Sequence, residues 1–345
     1  MKFNFIIDER IFADYYSADY FTKTKKILKK NKPDLNITMQ WFQRKKNTIL
    51  CGVDYIKAIL HKINKNLQFE GLNDGDIINP LEPVIKITGK YSEFAYLEGL
   101  FDGILSRAST IATNAFNLKK VANDKIIINM NDRMDVYTTQ AIDGYASIVG
   151  GINNLVTVAS FEYLTKTPNL LGTMPHALIA AYDGDVLAAT QAYLETFPNN
   201  NLVVLIDYNN DCIVDGLKVA HKFKDKLYAV RIDTSKSLVD KSLHNLKEKT
   251  DELHGVNPTL VKLLRKTLDK EGFFHVKIIV SSGFDEEKIK WFKEENTPVD
   301  IYGVGEALTK NKITFTGDVV MIDGKNQAKF GRQNTLSNRL KSIKY

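Results

Sequence analysis

Cysteine is nearly absent. Cys51 and Cys212 are the two in 345 residues, they form no CxxC pair, and no ligand spacing joins them to any of the six histidines. A disulfide framework and a structural zinc site are therefore excluded as organising features, and a reducing cytoplasm fits. Long apolar runs are also missing. No stretch approaches the about 18 residues that a membrane-spanning helix requires, and MKFNFIIDER meets Asp8 and Glu9 before a signal-peptide core can build. Nor is there a strong excess of one charge: 47 Lys and Arg against 41 Asp and Glu leave +6. The densest basic stretch, KTKKILKKNK at 23–32, is interleaved with apolar residues. It reads as the solvated face of a helix rather than a nucleic-acid groove, so neither a nucleic-acid nor a membrane partner is expected. No fixed-period repeat, low-complexity segment or linker stands out.

What is present is an ordinary globular composition, 44% apolar and 26% charged, in a chain long enough for roughly two domains at about 150 residues each. Residues 1–105 mix short strands, at 77–78 and 84–87, with turn signals such as NDGD at 73–76 and Asn79-Pro80. From residue 106 to about 315 the pattern becomes short apolar strands, each followed by a turn and a helical repeat. Strands are expected at 125–129, 155–159, 202–206, 227–232, 276–280 and 300–302, with Asp183 and Asp285 as helix N-caps. Apolar strands alternating with helices predict an α/β fold with a parallel sheet, open or closed into a barrel. Residues 316–345 return to short strands and turns, and so read as rejoining the first domain.

The strands of the second region end in residues that a core would reject. Asp207 follows LVVLI, Arg231 and Asp233 close the next strand, and the turns Ser281-Ser282-Gly283 and Gly303-Val304-Gly305 follow the last two. In parallel α/β folds the carboxyl ends of strands line the site, so these residues predict one mouth. Arg231 and Asp233, two apart on a strand, project to one face; the plainer alternative is a structural ion pair. The two glycine turns offer backbone N–H groups of the kind that cradle phosphate. His176, at the end of GTMPH (172–176), opens a helical pattern; it faces the mouth or is a structural histidine. Arg133, after KIIINM, is placed to hold an anion or is a surface charge.

Taken in order, DYFT (19–22), DGILSRASTIATNA (102–115), GYASIVGG (144–151), GTMPH (172–176), LID (205–207), VRIDTS (230–235), VSSG (280–283) and DIYGVG (300–305) resemble the nicotinate phosphoribosyltransferase family of type II phosphoribosyltransferases. The resemblance implies an irregular α/β barrel with a second α/β domain built from the N-terminal region and the C-terminal return. It implies the joining of nicotinate to 5-phosphoribosyl-1-diphosphate in NAD salvage, with Mg²⁺ as cofactor and ATP as co-substrate acting through a phosphohistidine at His176. By position, Arg133 falls near the pyridine ring and its carboxylate, and Arg231 and Asp233 beside base and ribose. Asp207 falls near the ribosyl diphosphate, and Ser282, Gly283, Gly303 and Gly305 at the 5′-phosphate. Thr173 falls among the substrate-binding residues. Tyr20 matches an aromatic that covers the base in a neighbouring subunit's site, which implies at least a homodimer. Met130-Asn131 replaces the family's aromatic-Gly pair. Val156 stands where nicotinamide-using relatives carry an Asp, which favours an acid over an amide. Two rivals remain: quinolinate phosphoribosyltransferase, and a non-catalytic barrel that binds a phosphorylated metabolite.

Overall fold

A computed structural model describes residues 3–63, 66–165, 170, 174–246 and 251–344. The first unit is built on a mainly antiparallel sheet. Its strands are β1 (Asn36–Phe42), β3 (Gln68–Gly71) and β5 (Ile85–Lys90), while β2 (Thr48–Ile49) and β4 (Ile77–Ile78) form a separate pair. β1 carries NITMQWF and is buried at every position after Asn36, because β5 pairs with it on one side and the C-terminal return on the other. The basic stretch at 23–32 lies largely on α1 (Asp19–Asn31), where Phe21 is buried. α2 (Val53–Ile63) is capped from a distance: Asp74, in the NDGD turn, accepts hydrogen bonds from the N–H groups of Val53 at 2.9 Å and Asp54 at 3.0 Å.

After α3 (Tyr91–Phe94), the 25-residue α4 (Glu98–Ala122) joins the two units. Phe101, Ile104 and Leu105 pack into the core of the first unit, and Ala108, Ile111, Ala112 and Ala115 into that of the second. The change of core at 105–108 thus occurs inside one unbroken helix rather than at a linker.

The second unit is a six-stranded parallel sheet of β6 (Ile126–Asn129), β7 (Asn154–Leu155), β8 (Leu202–Leu205), β9 (Leu227–Ile232), β10 (Lys277–Val280) and β11 (Ile301–Val304), ordered β7-β6-β11-β10-β9-β8. Among the described residues no ladder joins β7 to β8, so the sheet curls into a half-barrel. Helices α5 (Gln140–Val149), α6 (His176–Ala180), α7 (Val186–Thr196), α8 (Cys212–Phe223), α9 (Pro258–Lys270) and α10 (Glu286–Glu294) lie between the strands in sequence. The return then comes back to the first sheet. β12 (Thr316–Ile322) pairs with β1, turns through Asp323 and Gly324 at φ 47° and 77°, and continues as β13 (Lys325–Asn326); β14 (Lys341–Ser342) caps the far edge on β3.

Two local expectations are corrected. The strand at 155–159 is only Asn154–Leu155, because Thr157 Oγ1 accepts from the Ser160 N–H at 3.2 Å and turns the chain into a short 3₁₀ helix. The N-cap of α7 is Asp185, not Asp183: Asp185 accepts from Leu187 and Ala188, whereas Asp183 and Gly184, both at positive φ, belong to the turn that ends α6.

Candidate active site

The two-residue period of the strands builds the site in layers. One pleat holds Ile128, Val203, Ala229, Ile279 and Ile301, which pack together as an apolar floor inside the half-barrel. Two residues further along the same strands stand Met130, Leu205, Arg231, Ser281 and Gly303, all lining a cavity of about 720 Å³ at the carboxyl ends. The next step up brings Asp233, Gly283 and Gly305 to the same cavity. The strand-end residues Arg231 and Asp233 and the two glycine turns therefore share one space, whereas Asp207 does not line it and meets it through His176.

His176 is the first residue of α6, half-exposed at the rim, and its Nε2 lies 3.2 Å from both carboxylate oxygens of Asp207. The Asp207 side chain is almost fully buried at 6% exposure, so its charge is poorly screened. That contact raises the imidazole pKa above its ordinary value; Asp233 adds to the rise, and burial and Arg231 oppose it.

Arg231 and Asp233 do form an ion pair, Nη2 to Oδ2 at 3.3 Å, and Ser281 locks it. Arg231 Nε donates to Ser281 Oγ at 2.9 Å, and Ser281 Oγ donates to Asp233 Oδ1 at 2.6 Å. The pair and the mouth are not alternatives, since both side chains line the cavity. The turn after β10 holds Ser282 at φ 78° and Gly283 at 69°, left-handed conformations that favour glycine. Gly303 and Gly305 have a different cause. A Cβ on Gly303 would meet the Met130 side chain at 2.9 Å, and one on Gly305 the Met130 carbonyl oxygen at 2.8 Å. Met130 therefore takes up room that these two strand-end residues leave.

Arg133 is an exposed residue on the cavity wall, in the turn closed by the Met134 N–H to Asn131 carbonyl bond. Asn131 braces this turn from below: its N–H donates to Asn129 Oδ1 at 2.9 Å and its Nδ2 to Asp143 at 3.1 Å. Asp143 is in turn gripped by Arg107 through Nε at 2.7 Å and Nη2 at 2.6 Å. Sequence reasoning missed this bracket; the signal was an arginine placed among the small apolar residues of α4. It also missed Lys310 on the cavity wall and Lys288 beneath the Ser282 turn, where α10 returns a cation to the mouth.

Val156 lines the cavity, and the Thr157 hydroxyl is held by Gln140. Tyr20 does not line this cavity; it is 65% exposed on α1, its ring tilted against that of Phe21 with centroids 4.4 Å apart. Thr173 lies outside the described residues. Among the described residues no cluster of three or more His, Cys, Asp or Glu could cage a metal, and both cysteines are buried away from the mouth with thiol pKa values pushed up by desolvation. No helix among them is long and apolar enough to cross a membrane.

Residues 19–109 match the family described as the quinolinate phosphoribosyl transferase N-terminal domain. Nicotinate phosphoribosyltransferase of Bacillus subtilis is 27% identical over 244 residues, 69% of this chain and 44% of that protein. Nicotinate phosphoribosyltransferase pncB2 of Mycobacterium tuberculosis is 25% identical over 268 residues, 74% of this chain and 52% of that one. The chain thus spans about half the length of the curated relatives it matches. Among solved structures, nicotinate-nucleotide pyrophosphorylase from Pyrococcus furiosus superposes with a TM-score of 0.82 at 30% identity, covering 96% of this chain and 82% of that one. Human nicotinic acid phosphoribosyltransferase shares the fold, at a TM-score of 0.69 and 16% identity over 92% of this chain and 77% of that one. This chain belongs to the type II phosphoribosyltransferases, and the curated relatives it matches are nicotinate phosphoribosyltransferases.

Proposed function

We propose that this protein transfers the phosphoribosyl group of 5-phosphoribosyl-1-diphosphate to nicotinate, giving nicotinate mononucleotide and diphosphate, and that ATP hydrolysis is coupled to the transfer through a phosphorylated His176. The reading places it in cytoplasmic NAD salvage. The observation that carries it is the contact of His176 Nε2 with Asp207 at the cavity mouth. Asp207 holds the imidazole as the Nε2–H tautomer and leaves Nδ1 as the nucleophile. Nδ1 attacks the γ-phosphorus of ATP, the bond to the bridging oxygen breaks, and ADP departs.

In the transfer itself the bond from ribose C1 to diphosphate breaks as the pyridine nitrogen approaches. Positive charge gathers on the sugar and negative charge on the leaving group. Asp207 and Asp233 supply carboxylates for the first, and Arg231 and Lys310 supply cations for the second. The Ser282–Gly283 turn receives the 5′-phosphate, with the backbone of Gly303 and Gly305 on the same cavity wall. Arg133 receives the nicotinate carboxylate. Val156, apolar and without an acceptor, offers nothing to an amide nitrogen. Mg²⁺, when bound, neutralises charge on the departing diphosphate. The residues present suit a substrate-borne ion: Asp207 and Asp233 are hard oxygen donors at adjacent strand ends, and Mg²⁺ takes one or two carboxylates plus substrate phosphates. A second copy of the chain supplies Tyr20 over the base.

The quinolinate reading keeps two observations in its favour, the match of residues 19–109 and the printed name of the Pyrococcus furiosus structure. One assay separates the two. Protein is incubated with Mg²⁺, ATP, phosphoribosyl diphosphate and equal nicotinate, nicotinamide and quinolinate, with products resolved by mass. Nicotinate mononucleotide from nicotinate, with ADP formed, is the expected result. Consumption of quinolinate with release of CO₂ moves the protein to the rival enzyme, and no consumption of any base supports a binding protein.

A further inference from the structure

One cation at the mouth has no part in the chemistry above. Lys288, in the first turn of α10, folds back over the chain that precedes the helix. Its Nζ donates to the Ser282 carbonyl oxygen at 3.0 Å and stands 4.4 Å from the centre of the Phe284 ring. Ser282 and Phe284 both line the cavity.

A peptide unit is planar and trans, so its carbonyl oxygen and its N–H point to opposite sides. Once Lys288 holds the Ser282 oxygen, the N–H of Gly283 is aimed away from Lys288. That N–H makes no hydrogen bond to the described residues, and the space a Gly283 Cβ would occupy has no atom within 4 Å. A flip of this peptide would reverse φ at Gly283, which glycine accepts, and would turn ψ at Ser282 with it. After a flip, a carbonyl oxygen rather than an N–H would meet an incoming anion. An ammonium is a costly group to place here: burial pushes Lys288 down to about 8 against the pull of Asp285 and Asp233.

Building on the phosphate-turn reading, we infer that Lys288 is a positioning residue that locks the Ser282–Gly283 peptide so that the Gly283 N–H, not the Ser282 oxygen, is offered to the 5′-phosphate. The lysine acts through the turn and does not itself bind the phosphate.

The test uses the full chain and ribose 5-phosphate as the probe. Calorimetry is run on the wild type, Lys288→Met and Lys288→Arg, each checked for folding by circular dichroism. Lys288→Met weakens ribose 5-phosphate binding at least about tenfold and raises KM for phosphoribosyl diphosphate in step, with kcat and KM for nicotinate unchanged. Lys288→Arg, which keeps a donor and its charge, restores most of the loss. Selective ¹⁵N-glycine labelling of the wild type gives a reading that needs no variant: the Gly283 amide signal moves when ribose 5-phosphate is added. Wild-type affinity in Lys288→Met, or a Gly283 signal that stays still while the sugar phosphate binds, overturns the inference alone. Failure of the wild type to bind ribose 5-phosphate at all overturns the phosphate-turn reading and this inference with it.

Discussion

His176 meets Asp207 through one nitrogen only: Nε2 is 3.2 Å from each carboxylate oxygen, and the aspartate is the more deeply buried partner. A nearly buried carboxylate on one nitrogen fixes the tautomer and makes the other nitrogen more nucleophilic. The phosphohistidine proposed above requires this geometry of His176. A histidine that merely filled a core would not sit half-exposed at the rim of a 720 Å³ cavity.

Replacing His176 by Ala therefore separates two activities. Phosphoribosyl transfer without ATP stays measurable, because no covalent bond to the protein forms at the sugar, while the stimulation by ATP falls to nothing. Rates with and without ATP at equal substrate decide it; a mutant stimulated as strongly as wild type sinks the phosphohistidine role.

The same contact predicts a pH profile. The raised imidazole pKa means that at slightly acid pH the ring carries a proton on both nitrogens, and Nδ1 has no lone pair to attack with. ATP-dependent stimulation falls as pH drops below that raised value, while ATP-independent transfer does not follow it. Asp207→Asn removes the group that raises the pKa, so the acid limb moves to lower pH. An acid limb at the same pH in Asp207→Asn would mean that another group titrates.

Much of the site was legible because strand periodicity is a local property. Arg231, Ser281 and Gly303 fall one pleat beyond the floor residues Ala229, Ile279 and Ile301, and a polar residue at that step is visible in the sequence alone. The Asn131–Asp143–Arg107 bracket was not, since it joins positions on a turn and two helices that only the folded chain brings together. Lys288 was hidden for the same reason, since only the fold brings its ammonium against the Ser282 carbonyl. The glycines at 303 and 305 were read as phosphate cradles, yet the packing of Met130 is reason enough for both. The N-cap of α7 was misplaced by two residues because Asp183 and Asp185 flank a glycine, and only the backbone decides which of them ends one helix and which starts the next.

Base choice is tested at Val156. Replacing it by Asp puts a half-buried acceptor on the wall, which repels the nicotinate carboxylate and accepts from an amide nitrogen. The ratio of kcat/KM for nicotinate over nicotinamide falls by about tenfold or more, on the order of one charge-assisted hydrogen bond. An unchanged ratio would place Val156 away from the base.

The last prediction concerns stability, away from the mouth. Asp74 is half-buried in its turn, and desolvation pushes its pKa up to about 6 even though Tyr145 OH and the N–H groups of Val53 and Asp54 favour its charged form. The folded value lies above the unfolded one near 3.8, so this group adds most stability below about pH 4 and loses that contribution as pH rises through 6. Glu98, raised to about 7 mainly by burial, works in the same direction and is bonded by Tyr91 OH at 2.9 Å. Asp74→Asn, which cannot ionise, therefore flattens the fall in unfolding free energy between pH 4 and 7 measured by urea titration. Asp74→Ala also strips the cap from α2 and leaves its donors unpaired, and lowers stability by about 2–3 kcal/mol. If the pH slope in Asp74→Asn equals that of wild type, the titration belongs to other carboxylates; if Asp74→Ala is as stable as wild type, the α2 cap does not hold the helix.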